Sequence, residues 1–205
     1  MLKTLSIAAG IAGLSLTTAV QADDMDQRIA EHLDREDIEQ LMVYYGRAND
    51  IIGRGHADRD AAREAAVAEY ERAFTDDATI TVFPLGSETP LQSTNNIPDW
   101  SAFVAGYFVN ENYSSTLHLM SNFVIDFTDE DTAQASAFAI NPHFILNREA
   151  GNPDAATRGM DLMNVRYEYE AERQEDGEWR IVDMTIHLDE IFNGIGFFGA
   201  GQSPS

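Results

Sequence analysis

The chain of 205 residues contains no cysteine. That removes thiolate nucleophiles, disulfides and sulfur-ligated metal sites together. Lysine stops at Lys3, so no side chain beyond it can form a Schiff base. Basic residues are scarce altogether. Thirteen Lys and Arg stand against 35 Asp and Glu, for a formal charge of −22. Such a chain repels phosphates, which argues against nucleic acid as a partner, and it disfavours anionic membranes and anionic substrates. No apolar run reaches the roughly 20 residues that a bilayer span needs.

The nearest to one is the start, MLKTLSIAAGIAGLSLTTAVQA. A single lysine, an apolar run interrupted by Ser and Thr, and a closing Ala-Val-Gln-Ala have the order of a signal peptide with a small-residue cleavage site. Residues 1–22 are therefore expected to be a leader cut after Ala22. The mature chain would be exported, periplasmic or secreted, with no membrane contact after cleavage. Residues 23–192 suit one domain large enough to bury a core. Residues 193–205, NGIGFFGAGQSPS, read as a flexible glycine-rich tail.

Asp23 to Leu33 is an acidic lead-in. From Asp34, DREDIEQLMVYYGRAND places Ile38, Leu41, Met42 and Tyr45 at i, i+3, i+4 and i+7, one apolar helical stripe that Asp34 can cap. Gly53 and Gly55 break the helix, and a second covers Arg59 to Phe74. Asp76-Asp77 is a turn signal, and Ala78 to Phe83 a strand. Pro84 to Pro98 reads as loop and Asp99 to Val109 as a short helix. Four strands follow, Thr116–Phe127, Thr132–Leu146, Met160–Arg173 and Glu178–Ile191, separated by turn residues. Helices first and long strands afterwards imply an α+β domain with a curved antiparallel sheet.

Five histidines remain for chemistry. His32 and His56 fall in solvated stretches. His118, His143 and His187 fall in predicted strands, without the close spacing of a zinc site, so no metal and no cofactor are expected. Counting by twos back from His143 gives Asn141, Ala139, Ala137, Ala135 and Ala133, a face of small residues with His and Asn at its end. Such a face leaves room for a packed helix or for a ligand. Asn164 shares a face with Leu162 and Arg166, lining a cavity or facing water. Asp50 closes the first helix. A carboxylate on one ring nitrogen of His118 would fix its tautomer and raise its basicity, the arrangement of a general base. Spacing alone does not bring the two together.

The order of DREDIEQLMVYYGRAND, AEYERAFTDDATITVF, STLHLMSNFVIDF and RYEYEAERQEDGEWRIVDM resembles the SnoaL-like family of the nuclear transport factor 2-like superfamily, with its scytalone dehydratase-like and polyketide cyclase-like members. The resemblance implies a cone: a strongly bent antiparallel sheet wrapped over N-terminal helices, open at one end to an apolar pocket. It implies His118 and Asp50 as a catalytic pair, and His143 and Asn164 as polar substrate contacts. Tyr45 stands where it could donate to a developing enolate, though neither it nor Tyr44 matches the family position by position. Residues 51–70, with GRGHADRD, are longer than the usual connection, and the missing lysine argues against dehalogenation. The function implied is a lyase or isomerase of the dehydratase type, free of cofactors, acting on a small apolar ring-containing molecule. The alternatives are a binding protein or a scaffold subunit of the same fold. The sheet faces suit a homo-oligomer, dimer or trimer.

N-terminal sequencing of the protein exported by a suitable host is expected to start at Asp23. Retention of Met1–Ala22 would remove the leader assignment.

Overall fold

The computed structural model describes residues 12–145 and 159–196. The elements are α1 (Ala12–Arg54), α2 (Arg59–Ala73), β1 (Phe74–Phe83), β2 (Gln92–Thr94), α3 (Ile97–Asn110), β3 (Tyr113–Thr116), β4 (Leu119–Phe127), β5 (Thr132–Ile145), β6 (Gly159–Arg173) and β7 (Trp179–Gly196). Among the described residues, those up to Asp37 form one compact unit and those from Ile38 onward a second. Among the described residues, no helix is long and apolar enough to cross a membrane.

Asp34 does not cap a helix, because α1 is helical on both sides of it. Residues 23–37 contain neither Pro nor Gly, so nothing in the lead-in breaks the helix. In the second unit the predicted stripe is the core face of α1. Ile38, Leu41, Met42 and Tyr45 are all buried, each contributing roughly 1.5–3 kcal/mol of hydrophobic stabilisation. Asp58 caps α2 by accepting from the Ala61 N–H at 3.1 Å, and Asn96 caps α3 by accepting from the Asp99 N–H at 2.8 Å.

The sheet order is β2-β1-β7-β6-β5, with β3 and β4 sharing the outer edge of β5. The fold is α+β, a curled half-barrel sheet with α1 and α2 preceding it and α3 inserted between β2 and β3. Its pairings are antiparallel apart from β1 with β7, which run parallel. Asp76 and Asp77, read as a turn, form instead a bulge within β1. The predicted loop before α3 contains the short strand β2, which pairs with β1. The backbone of β7 continues to Gly196, so residues 193–196, expected in the loose tail, belong to the strand, and Ile195 and Gly196 pair with Met160 and Gly159 of β6. Residues 197–205 and Leu146 lie outside the described residues.

Alternation along β5 is as the alanines predict. Ala133, Ala135, Ala137, Ala139, Asn141 and His143 face inward. On the other face Phe138 and Ile140 stay exposed beside Leu119 and Val124 of β4.

The predicted strand Thr116–Phe127 is two strands, broken at Leu117 and His118. The break has a cause across the ladder. Thr116 pairs with His143 and Leu119 with Ile140, so Leu117 stands opposite Pro142. Leu117 N–H donates to the Pro142 carbonyl at 3.0 Å. The reciprocal bond cannot form, because proline has no N–H.

Two glycines let this broken segment lie against α1. A Cβ on Gly46 would come 3.1 Å from His118 Cβ. A Cβ on Gly53 would come 2.2 Å from Thr116 Oγ1 and 2.9 Å from its backbone nitrogen. Gly53 therefore serves close approach within the last turn of α1 rather than helix breaking. Gly53→Ala is expected to destabilise the protein by about 1–3 kcal/mol, read by urea unfolding. An unchanged midpoint would show that α1 and the 116–118 segment are not tightly apposed.

Candidate active site

Asp50 and His118 meet. Asp50 sits four residues before the end of α1, and His118 lies in the break between β3 and β4. The Asp50 Oδ1–His118 Nδ1 distance is 2.8 Å. Thr116 Oγ1 donates to the same oxygen at 3.1 Å, and the backbone N–H of His118 donates to Oδ2 at 3.4 Å. Both side chains are nearly closed to water, 6% exposed for His118 and 11% for Asp50. A buried carboxylate is tolerated only with such donors around it. With Nδ1–H given to Asp50, the lone pair of His118 is on Nε2.

His118 lines a cavity of about 70 Å³, together with Tyr45, Asn141, His143 and Tyr167, apolar side chains from the sheet, and Trp100, Phe103, Val104, Tyr107 and Phe108 of α3. That volume holds about two water molecules, while a benzene-sized ligand occupies a cavity of roughly 150 Å³. Of the apolar lining residues, Leu91 is exposed and Phe103, Tyr107 and Leu188 are part-buried.

Opposite His118 stands His143, ring centroids 5.6 Å apart. Tyr113 and Phe108 pack edge-on against it at 4.7 and 5.4 Å. Neither ring nitrogen of His143 has a hydrogen-bond partner, nor does Asn141 Oδ1. Burial, and secondarily the neighbouring His118, hold His143 well below its ordinary 6.5, so its imidazole is neutral. Asn141 Nδ2 donates to the Tyr167 hydroxyl at 3.2 Å, and Tyr45 is hydrogen-bonded to the same hydroxyl. Burial, and next the neighbouring Tyr167 and Tyr70, push Tyr45 well above a normal phenol. It stays protonated and can act as a donor. Each buried polar atom left unpaired costs about 1–3 kcal/mol, so these orphan groups mark where a polar ligand atom would be received.

The structure thus brings together His118, Asp50, Tyr45 and His143. It does not bring Asn164. Alternation on β6 turns Met163 and Val165 to the cavity and Asn164 to the outer face, where its Nδ2 donates to Glu190 at 3.0 Å. The cavity amide is Asn141, two residues before His143, which the β5 alternation already placed on the inner face. Tyr44 points elsewhere, under the Arg72 guanidinium, which lies 3.7 Å from its ring centroid. His187 stacks on Phe83 at 5.6 Å, outside the cavity. Sequence reasoning missed the buried Asp161, which accepts from the Tyr113 hydroxyl at 2.8 Å and pairs in register with His143. Counting by twos from Met163 would have found it. Among the described residues, no group of three His, Cys, Asp or Glu is arranged to hold a metal ion.

A family profile described as a SnoaL-like domain matches residues 30–185. The chain belongs to the SnoaL-like family. The Kfla4162 protein from Kribbella flavida superposes with a TM-score of 0.59 at 23% identity, covering 80% of this chain and 95% of that one. A Novosphingobium aromaticivorans protein provisionally named a scytalone dehydratase gives 0.54 at 17%, covering 87% and 99%. The hexachlorocyclohexane dehydrochlorinase LinA-type3 from Novosphingobium barchaimii gives 0.53 at 17%, covering 86% and 99%. At these identities the likeness establishes the nuclear transport factor 2-like fold and not the chemistry. No protein of curated function matches.

A base held neutral by burial destabilises the fold in acid. The unfolded His143 takes a proton near pH ~6.5 and the folded one only well below it. Its contribution is therefore complete above about pH 6.5 and declines as pH falls toward the folded value, at most about 1.4 kcal/mol per pH unit. His143→Leu should flatten the slope of unfolding free energy between pH 6.5 and 5. An unchanged slope would mean that His143 titrates freely.

Proposed function

We propose that this protein is a cofactor-independent lyase of the dehydratase type, with isomerisation as its close variant, acting on a small, mostly apolar, ring-containing hydroxy-ketone. The observation that carries this reading is the Asp50–His118 pair opening on an apolar cavity whose far wall holds unpartnered polar atoms.

His118 Nε2 takes the proton from the carbon beside the substrate carbonyl. The C–H electrons form the carbon–carbon double bond as the β-hydroxyl leaves, and the proton on His118 goes to that oxygen, releasing water. Asp50 stabilises the imidazolium between these steps and keeps its tautomer. An N–H of the neutral His143, and the neutral phenol of Tyr45 once it exchanges its bond to Tyr167 for one to substrate, are the donors to the enolate oxygen, in surroundings that strengthen each bond. Carriage of the same molecule without chemistry would use the same cavity. What favours catalysis is the carboxylate on Nδ1, which a passive pocket does not need. The reading includes export after loss of residues 1–22.

Cyclic β-hydroxy-ketones are the substrates to screen for enone formation. His118→Ala and Asp50→Asn should each lower kcat by about 10²–10⁴. Equal turnover in all three proteins would remove the catalytic assignment. Ligand-induced stabilisation with no turnover in any of them would establish carriage.

A further inference from the structure

Arg59 lies in the GRGHADRD segment, Gly53–Asp60, which lines no part of the cavity. Its guanidinium is half-buried and turned onto the backbone. Nη1 donates to the carbonyls of Ile52 and, at 2.9 Å, Gly53, while Nη2 donates to the carbonyl of Tyr113. Ile52 and Gly53 belong to the last turn of α1, where the helix dipole is negative; the Ile52 carbonyl also accepts from the Gly55 N–H at 3.2 Å. Tyr113 opens β3. One side chain therefore bridges the end of the helix that carries Asp50 and the start of the strand that carries Thr116.

We propose that Arg59 is a positioning residue for the Asp50–His118 pair, tying the terminus of α1 to β3 so that Asp50, Thr116 and His118 meet at hydrogen-bond distance. The bridge crosses two segments packed without spare room, since Gly53 and Thr116 leave no space for a Cβ between them. Release of the tie lets the two segments part, and the first bonds to lengthen are those to Asp50. A planar fork suits the task, because its donors reach three carbonyls in fixed directions, which a lysine ammonium cannot reproduce. The consequence for rate rests on the dehydratase reading; the geometry does not.

The test is the ¹⁵N–¹H spectrum of the His118 ring in the ligand-free protein, assigned with His118→Ala. Wild type should show a slowly exchanging Nδ1 proton and a single tautomer. Arg59→Gln and Arg59→Lys should each speed exchange of that proton at least tenfold and mix the tautomers, with Lys the milder of the two. Arg173→Gln, which loses the Asp131 and Trp179 contacts instead, should lower the melting temperature without changing the His118 signal. If Arg59→Gln does not fold, Arg59→Lys carries the same readout. A wild-type His118 signature in the Arg59 variants, whatever their melting temperature, overturns the proposal. A degraded signature in a protein that turns over no substrate retains the positioning role and removes only the lyase reading.

Discussion

A carboxylate almost out of reach of water constrains this whole site. Asp50 is met there by three donors, all from one short stretch, Thr116 to His118. That stretch must lie against α1 more closely than side chains allow, which is why Gly46 and Gly53 flank Asp50 along the helix. It must also leave the sheet, because a residue in regular pairing would not turn both its ring and its backbone N–H to one helix. Chemistry and packing at this point are a single requirement.

Around that charge the cavity is built from neutral polar groups and hydrocarbon. His143 is kept uncharged by burial, and the phenols of Tyr45 and Tyr167 are held far from ionising. The Asp50–His118 pair therefore lies in poorly screened surroundings, where a charge is felt more strongly than it would be in water. Two imidazoles face each other with different surroundings: one carries a carboxylate and the other has nothing on either nitrogen. Divergent environments for like groups are the usual way to separate base from donor.

Much of this was legible in the sequence. The 3.6-residue stripe of α1 identified its core face, since apolar burial enforces that period. The alanines of β5 told which way Asn141 and His143 point, since strand faces alternate strictly. Asn164 went wrong where resemblance was set above alternation: Met163 and Val165 are apolar, so the core takes them, and the residue between must face out. The start of α1 was misplaced because acidity was read as solvation, although Asp23 to Leu33 holds no helix breaker. The parallel β1–β7 pairing has no local signature. It arises from closure of the sheet between segments about a hundred residues apart. The break at Leu117 and His118 did have a signal, Pro142, but it sits on the neighbouring strand and acts only once register is known.

Pro142 makes the imide ring a grammatical full stop in somebody else's sentence. An ordinary residue there would offer the Leu117 carbonyl the missing donor, and β3 and β4 could zip into one uninterrupted ribbon. The sheet would then compete with the helix for the backbone of His118. A missing hydrogen on one strand thus leaves its neighbour free to face Asp50, and a gain of ladder regularity would come at the expense of that contact.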